Sequence, residues 1–586
     1  MPSTTALFTA MSGLNANARN IDVIGNNIAN SNTTAFKSSR LLFSTMYSRT
    51  ISGGTPPGDV TGGTNPYQIG LGVTTAGTQR NTSGGTINNT GDQRDLAIDG
   101  SGYFVVRRGE EQFYTRAGAF RTNALNELVT VSGERLQGFG VDDNFNVVPG
   151  VVTDLSVPLG ALTIAEATSR VRFAGNLDAD GPLPGQGSRI TLGGTATAGL
   201  VAIAGANPAP ASGNRVEATT RLVDIESPSL PGSGTPRFVD GQTLRLRGAE
   251  KGSGVVPAAT LDISATTTLQ DLADFLTAAL GIGASPANNP DGGTPGVAID
   301  PVTGVLSIVG NPGAVNDLTV ETEDLVLLDA SGAQVAAPFV TAKGASADGE
   351  SVRTTFVVFD SLGAPVTLSL TMALESRGDL GTTWRYYVES GDATGTALQV
   401  GTGTIGFDTR GQPTGTAPEV VTIDRTGTGA DSPLTIDLDF TGGGDGGMTA
   451  LADADSSVAA TFRDGSPIGT LTAFGVGADG TLTGAFSNGL TRTLGLVALA
   501  TFSNDAGLED VGSNLFRVTG NSGTAAIGNP GEFAAGRIVG GALEQSNVDL
   551  SEEFIKLVLS STGFSANSRV IRTADELMQQ LLVLGR

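Results

Sequence analysis

Apolar residues recur along the first thirty positions with the period of a helix. Leu7, Met11, Leu14, Ala18, Ile21, Gly25 and Ile28 are separated alternately by four and three residues, the a/d seam of a heptad repeat, with Ser and Thr before it as N-cap candidates. The spacing predicts a helix over residues 4–30, about 40 Å long at 1.5 Å per residue. Its other faces carry Asn15, Asn17, Arg19, Asn20, Asp22, Asn26 and Asn27, a heavy amide load for a solvated surface. Residues 30–34 end it, because Ser, Asn and Thr favour local side-chain turns.

The C-terminus repeats the pattern over residues 549–584. Leu550, Phe554, Leu557, Ser561, Phe564, Ser568, Ile571, Asp575, Met578 and Leu582 continue the alternation, with Ser551 as cap and Glu552 and Glu553 in the first turn. The polar seam positions Ser561, Ser568 and Asp575 predict an interface that is partly wet or shared.

Between the ends the period is two. Residues 102–107 and 112–116 read as strands of a hairpin, and Leu434, Ile436, Leu438 and Phe440 alternate with polar residues. One helix interrupts, where Thr268 and Asp271 form a capping box before Leu269, Leu272, Ala273, Leu276 and Leu280, with Gly281 after. Gly/Pro/Ala-rich stretches at 181–187, 204–213, 284–296 and 441–447 are loops or boundaries. The expected fold class is mainly β with long α-helical termini: nested β-domains strung outward from a coiled-coil-like pair of N- and C-terminal helices.

Composition narrows the chemistry. The chain has 586 residues, enough for several domains. It contains no Cys and no His, which excludes disulfides, thiolate nucleophiles, imidazole metal sites and Ser-His or Cys-His catalysis. A net charge of −24 opposes binding to a phosphate backbone, so no nucleic-acid partner is expected. No apolar run is long enough to span a bilayer, and the N-terminus lacks the basic start of a secretory signal, so neither membrane insertion nor a cleaved leader is expected.

The remaining motifs read as structure. Asp142, Asn144 and Asn146 imitate a calcium loop, but Val147 and Thr153 stand where its glycine and bidentate glutamate belong, leaving a turn. The glycines of 442–447 lack a following Lys-Ser/Thr and read as a loop. Neighbouring acids such as Glu552/Glu553 and Asp142/Asp143 are chance pairs among 58 acidic residues. No catalytic residue, cofactor or metal is expected, and the protein is not read as an enzyme.

The two amphipathic ends point to self-assembly. A helical hairpin closed within the monomer is the bland alternative. Helices at opposite ends of a β-rich chain have few other partners, and isolated helices are marginal in water, so the tails are expected to order when several subunits supply the missing faces. The candidate assembly-interface residues are Leu7, Met11, Leu14, Ala18, Ile21, Ile28, Leu550, Phe554, Leu557, Phe564, Ile571, Met578 and Leu582.

Particular residues carry a family resemblance. Ser12-Gly13-Leu14, the run Asp22 to Asn30 that includes Asn26 and Asn27, Asn32-Thr33 and Phe36-Lys37 resemble the N-terminal signature of flagellar rod and hook axial proteins. Residues 95–104, Tyr114 to Phe120 and Gln137-Gly138 resemble their shared β-domain, and Leu543 to Leu550, with Ser546, Asn547, Val548 and Asp549, resembles the C-terminal signature. Gly175 to Asp178, Phe359 to Gly363, Trp384, Gly406 to Asp408 and Phe486 to Gly489 are similar to the additional domain of the hook branch. One departure is Ser561-Thr562-Gly563 before Phe564, where relatives commonly carry Gln-Arg; Gly563 weakens a helix by about 1 kcal/mol relative to Ala.

The resemblance implies a division into a helical inner-tube domain (1–30 and 549–586), an extended clamp (31–75), an axial β-domain (76–174 and 456–548), an outer β-domain (175–184 and 346–455) and an outermost inserted domain (185–345). It further implies a structural subunit that assembles with itself into a curved flexible tube joining rod to filament. Implied partners are a distal rod protein, a hook–filament junction protein, a hook cap during assembly and the flagellar type III export apparatus. The implied location is extracellular, in the flagellar basal body and hook, reached without a cleaved signal peptide. A distal rod protein and a secreted β-rich adhesin or glycan-active protein are the alternatives.

Overall fold

The computed structural model describes residues 2–584 apart from 194–198, 207–214, 228–231, 284–286, 396, 416–417, 443–445 and 453; the side chains of 2–4 and 581–584 are also outside the description. Part of the glycine loop at 442–447, and parts of the loops expected at 204–213 and 284–296, therefore lie outside the described residues. The described residues form three α-helices, α1 (Pro2–Ala29), α2 (Leu269–Ala279) and α3 (Leu550–Leu584), among many short strands. It divides into two compact units, Met1–Thr163 with Thr470–Arg586, and Ile164–Gly469.

The first unit joins the two chain ends to a β-domain. α1 and α3 pack on each other within the chain, so each helix has an intrachain partner without waiting for other subunits. After α1, strands β1 (Ser39–Thr45) and β4 (Val73–Arg80) pair antiparallel, and inside them β2 (Ser48–Ser52) pairs with β3 (Tyr67–Gly70). The segment expected as an extended clamp is thus a long two-stranded ribbon, and its last strand runs past residue 75. Tyr103–Arg108 and Glu111–Thr115 form the hairpin expected from the alternation. This hairpin joins a large antiparallel sheet with Arg135–Val141 and Leu515–Arg517. Tyr103, Tyr114, Phe502 and Phe516 stack edge to face in its core, with centroids 4.9 to 5.7 Å apart. The Asp142 carboxylate accepts from the backbone amides of Asn144 (2.9 Å) and Asn146 (2.8 Å), closing a turn.

The second unit has two cores. One lies between a four-stranded antiparallel sheet (Ser351–Phe359, Pro365–Gly378, Gly381–Ser390, Gln399–Phe407) and a five-stranded sheet built on Arg170–Asp178. Trp384, the single tryptophan, is fully buried there with Phe173 and Tyr386. Strand Arg170–Asp178 pairs with Ser457–Arg463, which draws both segments into this unit.

The other core fills residues 190–339 and is covered by α2. Thr268 caps α2 as the sequence predicts: its hydroxyl accepts from the Asp271 amide (3.2 Å) and its own amide donates to the Asp271 carboxylate (2.8 Å). The two cores are bolted together by buried charge. The Lys251 ammonium meets the Glu389 carboxylate and donates to the Gly281 carbonyl at 2.9 Å, while Arg353 reaches the other Glu389 oxygen at 3.3 Å. Among the described residues no helix is long and apolar enough to cross a membrane, and no group of three or more acidic side chains is placed to hold a metal ion.

Candidate functional site

The helix pair is built from glycine, alanine and amide side chains rather than from the apolar seams. Asn27 donates to the Glu553 carboxylate (3.1 Å) and Asn20 to the Ser560 hydroxyl (2.6 Å). Further along, Asn17 lies against Gly563 and Asn567 against Gly13. As the numbers fall on α1 they rise on α3, so the helices run antiparallel. On α1 the contact positions Gly13, Asn17, Asn20 and Asn27 follow a heptad spacing one residue behind the apolar seam, and the buried Ala10 and Ile24 fall on the same spacing.

The crossing is reciprocal. Asn17 donates to the carbonyl of Gly13 four residues back in its own helix (2.8 Å), and Asn567 does the same to Gly563 (2.9 Å). Each amide, tied to its own backbone, fills the space beside the other helix's glycine. A Cβ at Gly13 would stand 2.9 Å from the Asn567 amide, and one at Gly563 would stand 3.0 Å from Asn17 Oδ1. Gly563, the departure that weakens helix propensity, therefore makes room for the partner's amide.

This packing leaves the apolar seams only partly covered. Met11, Leu550 and Phe554 are 49 %, 43 % and 53 % exposed, while Leu7, Leu14, Ala18, Ile21, Ile28, Leu557, Phe564, Ile571 and Met578 are half-buried. The Leu582 side chain lies outside the described residues. Ile555, Val558 and Leu559 add exposed apolar surface beside the α3 seam. Covering the remaining exposed part of one such side chain is worth about half of the roughly 1.5–3 kcal/mol gained by a fully exposed one, and a contiguous exposed stripe marks an interaction surface.

Where α1, the ribbon and α3 meet, the signature residues form a buried polar junction. Glu544 is fully buried and accepts from Lys37 Nζ (2.6 Å), Arg116 Nε (3.0 Å) and the Gly85 amide (2.8 Å). Lys37 also donates to the Ser83 carbonyl (2.7 Å), and Arg116 to the carbonyls of Gly100 (2.9 Å), Gly102 (2.8 Å) and Ile98 (3.2 Å). Burial pushes the Glu544 carboxyl up, but the charge of Arg116 and the hydrogen bond from Lys37 outweigh it and hold the group below its usual value. Burial pushes the Lys37 ammonium down, against the pull of the same carboxylate.

The amides complete the junction. Asn27 accepts from the Ser39 amide (3.0 Å) and donates to its carbonyl (2.7 Å), fastening the end of α1 to the ribbon. Asn547 accepts from the Ser38 amide (2.8 Å) and donates to the Asn81 carbonyl (3.0 Å), while the Phe36 carbonyl accepts from the Asn547 amide (3.2 Å). Asn30 bonds back to the Asn26 carbonyl (2.9 Å) and accepts from Thr33 (3.1 Å). Ser546 accepts from the Val548 amide (3.4 Å), and Asp549 caps α3 through the amides of Ser551 (2.8 Å) and Glu552 (3.1 Å). The sequence reading named Lys37 as a site residue but met its partners Arg116 and Glu544 only inside longer stretches of the resemblance; the scarcity of lysine, four in the chain, hinted that each has a fixed place.

A buried polar junction that fastens the two chain ends together, beside helices with partly exposed apolar faces, fits a structural subunit that assembles with others. Four family models match along the chain: Flagella basal body rod protein (7–37), Flagellar hook protein FlgE/F/G D1 domain (97–174), Flagellar basal body protein FlaE D2 domain (328–466) and Flagellar basal body rod FlgEFG protein C-terminal (539–584). The flagellar hook protein FlgE of Treponema pallidum is 28 % identical over 99 % of this chain and 99 % of its own length, and that of Borreliella burgdorferi is 28 % identical over 99 % of both. The flagellar hook protein FlgE of Caulobacter vibrioides is also 28 % identical, over 100 % of both chains. The chain belongs to the flagellar hook protein family. It is a non-enzymatic structural subunit of the bacterial hook, outside the cell, and it polymerises with itself.

Proposed function

We propose that the chain builds a curved, flexible tube, a universal joint that carries torque from rod to filament, and that α1 and α3 dock as one antiparallel pair onto neighbouring copies through their open apolar seams. The observation that carries this reading is the division of labour on each helix: glycine and amide residues make the closest intrachain approach, and Met11, Leu550 and Phe554 of the apolar seams stay exposed. Residues 1–30 and 549–586 then supply the inner tube. The ribbon, with Leu42, Phe43, Met46 and Tyr47 exposed, clamps tube to β-shell. Residues 76–163 and 470–548 then form the axial β-domain, because 164–174 and 456–469 belong to the second unit. Residues 164–184 and 346–469 form an outer domain, and the insertion 185–345 adds the outermost surface. This large middle has no place in a distal rod protein. Partners at the ends of such a tube are a distal rod protein and a hook–filament junction protein, with a hook cap during growth and delivery through the type III export apparatus without a cleaved signal.

Removing residues 1–30 and 549–586 tests the reading. A folded truncate that stays monomeric by light scattering and electron microscopy is the expected result; tubes formed by the truncate overturn it.

A further inference from the structure

Two features of the first unit are left unfilled once the helix pair and its seams are accounted for, and they complement each other. The first is a groove of about 780 Å³ between α1, α3 and the ribbon, lined by Ala6, Ala10, Ile51, Ile69 and Val570 with Arg49 beside them. The second is a stripe on α3 that belongs neither to the seam nor to the α1 contact: Glu552, Ile555 and Leu559, spaced three and four apart. Ile555 and Leu559 are 62 % and 67 % exposed. Glu552 is held by Lys556 at 2.9 Å, an exposed pair of the kind that contributes little.

The stripe cannot fill the groove of its own chain. Ile555 and Val570 stand on one continuous helix, fifteen residues or about 22 Å apart at 1.5 Å per residue. A second copy can. We propose that the Glu552–Ile555–Leu559 stripe of one subunit enters the groove of the next, seating the two aliphatic side chains against Ile51, Ile69 and Val570 and bringing the Glu552 carboxylate to the Arg49 guanidinium. The two surfaces lie at different places on the same molecule, so the contact is heterologous, the type that propagates into an open helical polymer when its rotation does not close a ring. This rests on the reading that the tail helices drive assembly and names one contact through which they do so.

The chain has no cysteine, so engineered thiols report cleanly. Polymers grown from an equal mixture of Ile69→Cys and Leu559→Cys chains and then oxidised should yield dimers containing one of each, absent from the monomer mixture. Separately, Arg49→Glu should raise the critical concentration for polymerisation on the order of tenfold, and Glu552→Arg in the same chain should restore it. Tubes that form normally with no 69–559 link and no response to charge reversal overturn this contact while leaving tail-driven assembly intact. Assembly of the truncate lacking both tails overturns the underlying reading as well.

Discussion

Asn17 of α1 occupies the space that a side chain at Gly563 of α3 would need, with Oδ1 3.0 Å from the position of a Cβ there. Asn567 stands to Gly13 in the same relation, so the helices approach through two glycines and two amides whose donors are already satisfied within their own turns. Close approach substitutes here for apolar burial.

Gly13→Leu should therefore part the helices although it raises helix propensity by roughly 1 kcal/mol. The larger side chain meets the Asn567 amide at van der Waals overlap, and a net loss of about 1–3 kcal/mol is expected. Amide hydrogen exchange in α1 and α3 checks this; unchanged protection contradicts it.

Glu544→Gln should be among the most damaging single changes in the first unit. It leaves Lys37 and Arg116 buried without a counter-charge, a situation that costs about 3–5 kcal/mol when one partner of a buried pair is removed. Denaturant unfolding measures the loss, and Lys37→Met in the same chain should recover part of it.

Acid should act on the same group. The folded-state carboxyl of Glu544 lies below its ordinary value, so its contribution is complete above about pH 4.3, the unfolded-state value, and is lost as pH falls through the lower folded-state value. Stability of the wild type should decline across that acidic window, and the Glu544→Gln variant should show a shallower decline in a thermal-melt series against pH.

Thr268→Ala removes a complete capping box from α2. A loss of about 1 kcal/mol is expected, confined to the core of residues 190–339. Exchange protection should fall in α2 and stay constant in the α1–α3 pair.

Ile21→Asp tests the seam. Ile21 is half-buried and off the contact face, so the substitution should leave helix content and the α1–α3 pair in place while abolishing tube growth. Normal tubes seen by electron microscopy contradict the assignment.

What was legible in the sequence depended on how local the physics is. The heptad spacing from Leu7 to Ile28 placed α1, and the Thr268–Asp271 box placed α2, because both are contained within a few turns. The face on which α1 meets α3 was not legible. Periodicity marks where apolar side chains lie, whereas this contact consists of Gly13, Asn17, Gly563 and Asn567, residues that read as helix breakers or solvated surface. The junction was hidden for another reason: Lys37, Arg116 and Glu544 are brought together only by the folded β-domain, and no local spacing announces an ion group assembled across most of the chain. The clamp segment was given as extended by the family resemblance and not by its own pattern. The pairing of Ser39–Thr45 with Val73–Arg80 supplies the ribbon that the composition concealed.

The junction also sets an order of events. Lys37 near the beginning of the chain stays without its counter-charge until Glu544, near the other end, is present to receive it. A chain released gradually from one end can complete its β-hairpins as they emerge, but the stem that carries both helices closes only when almost the whole polypeptide has arrived. An incomplete chain that lacks Glu544 therefore cannot close this junction.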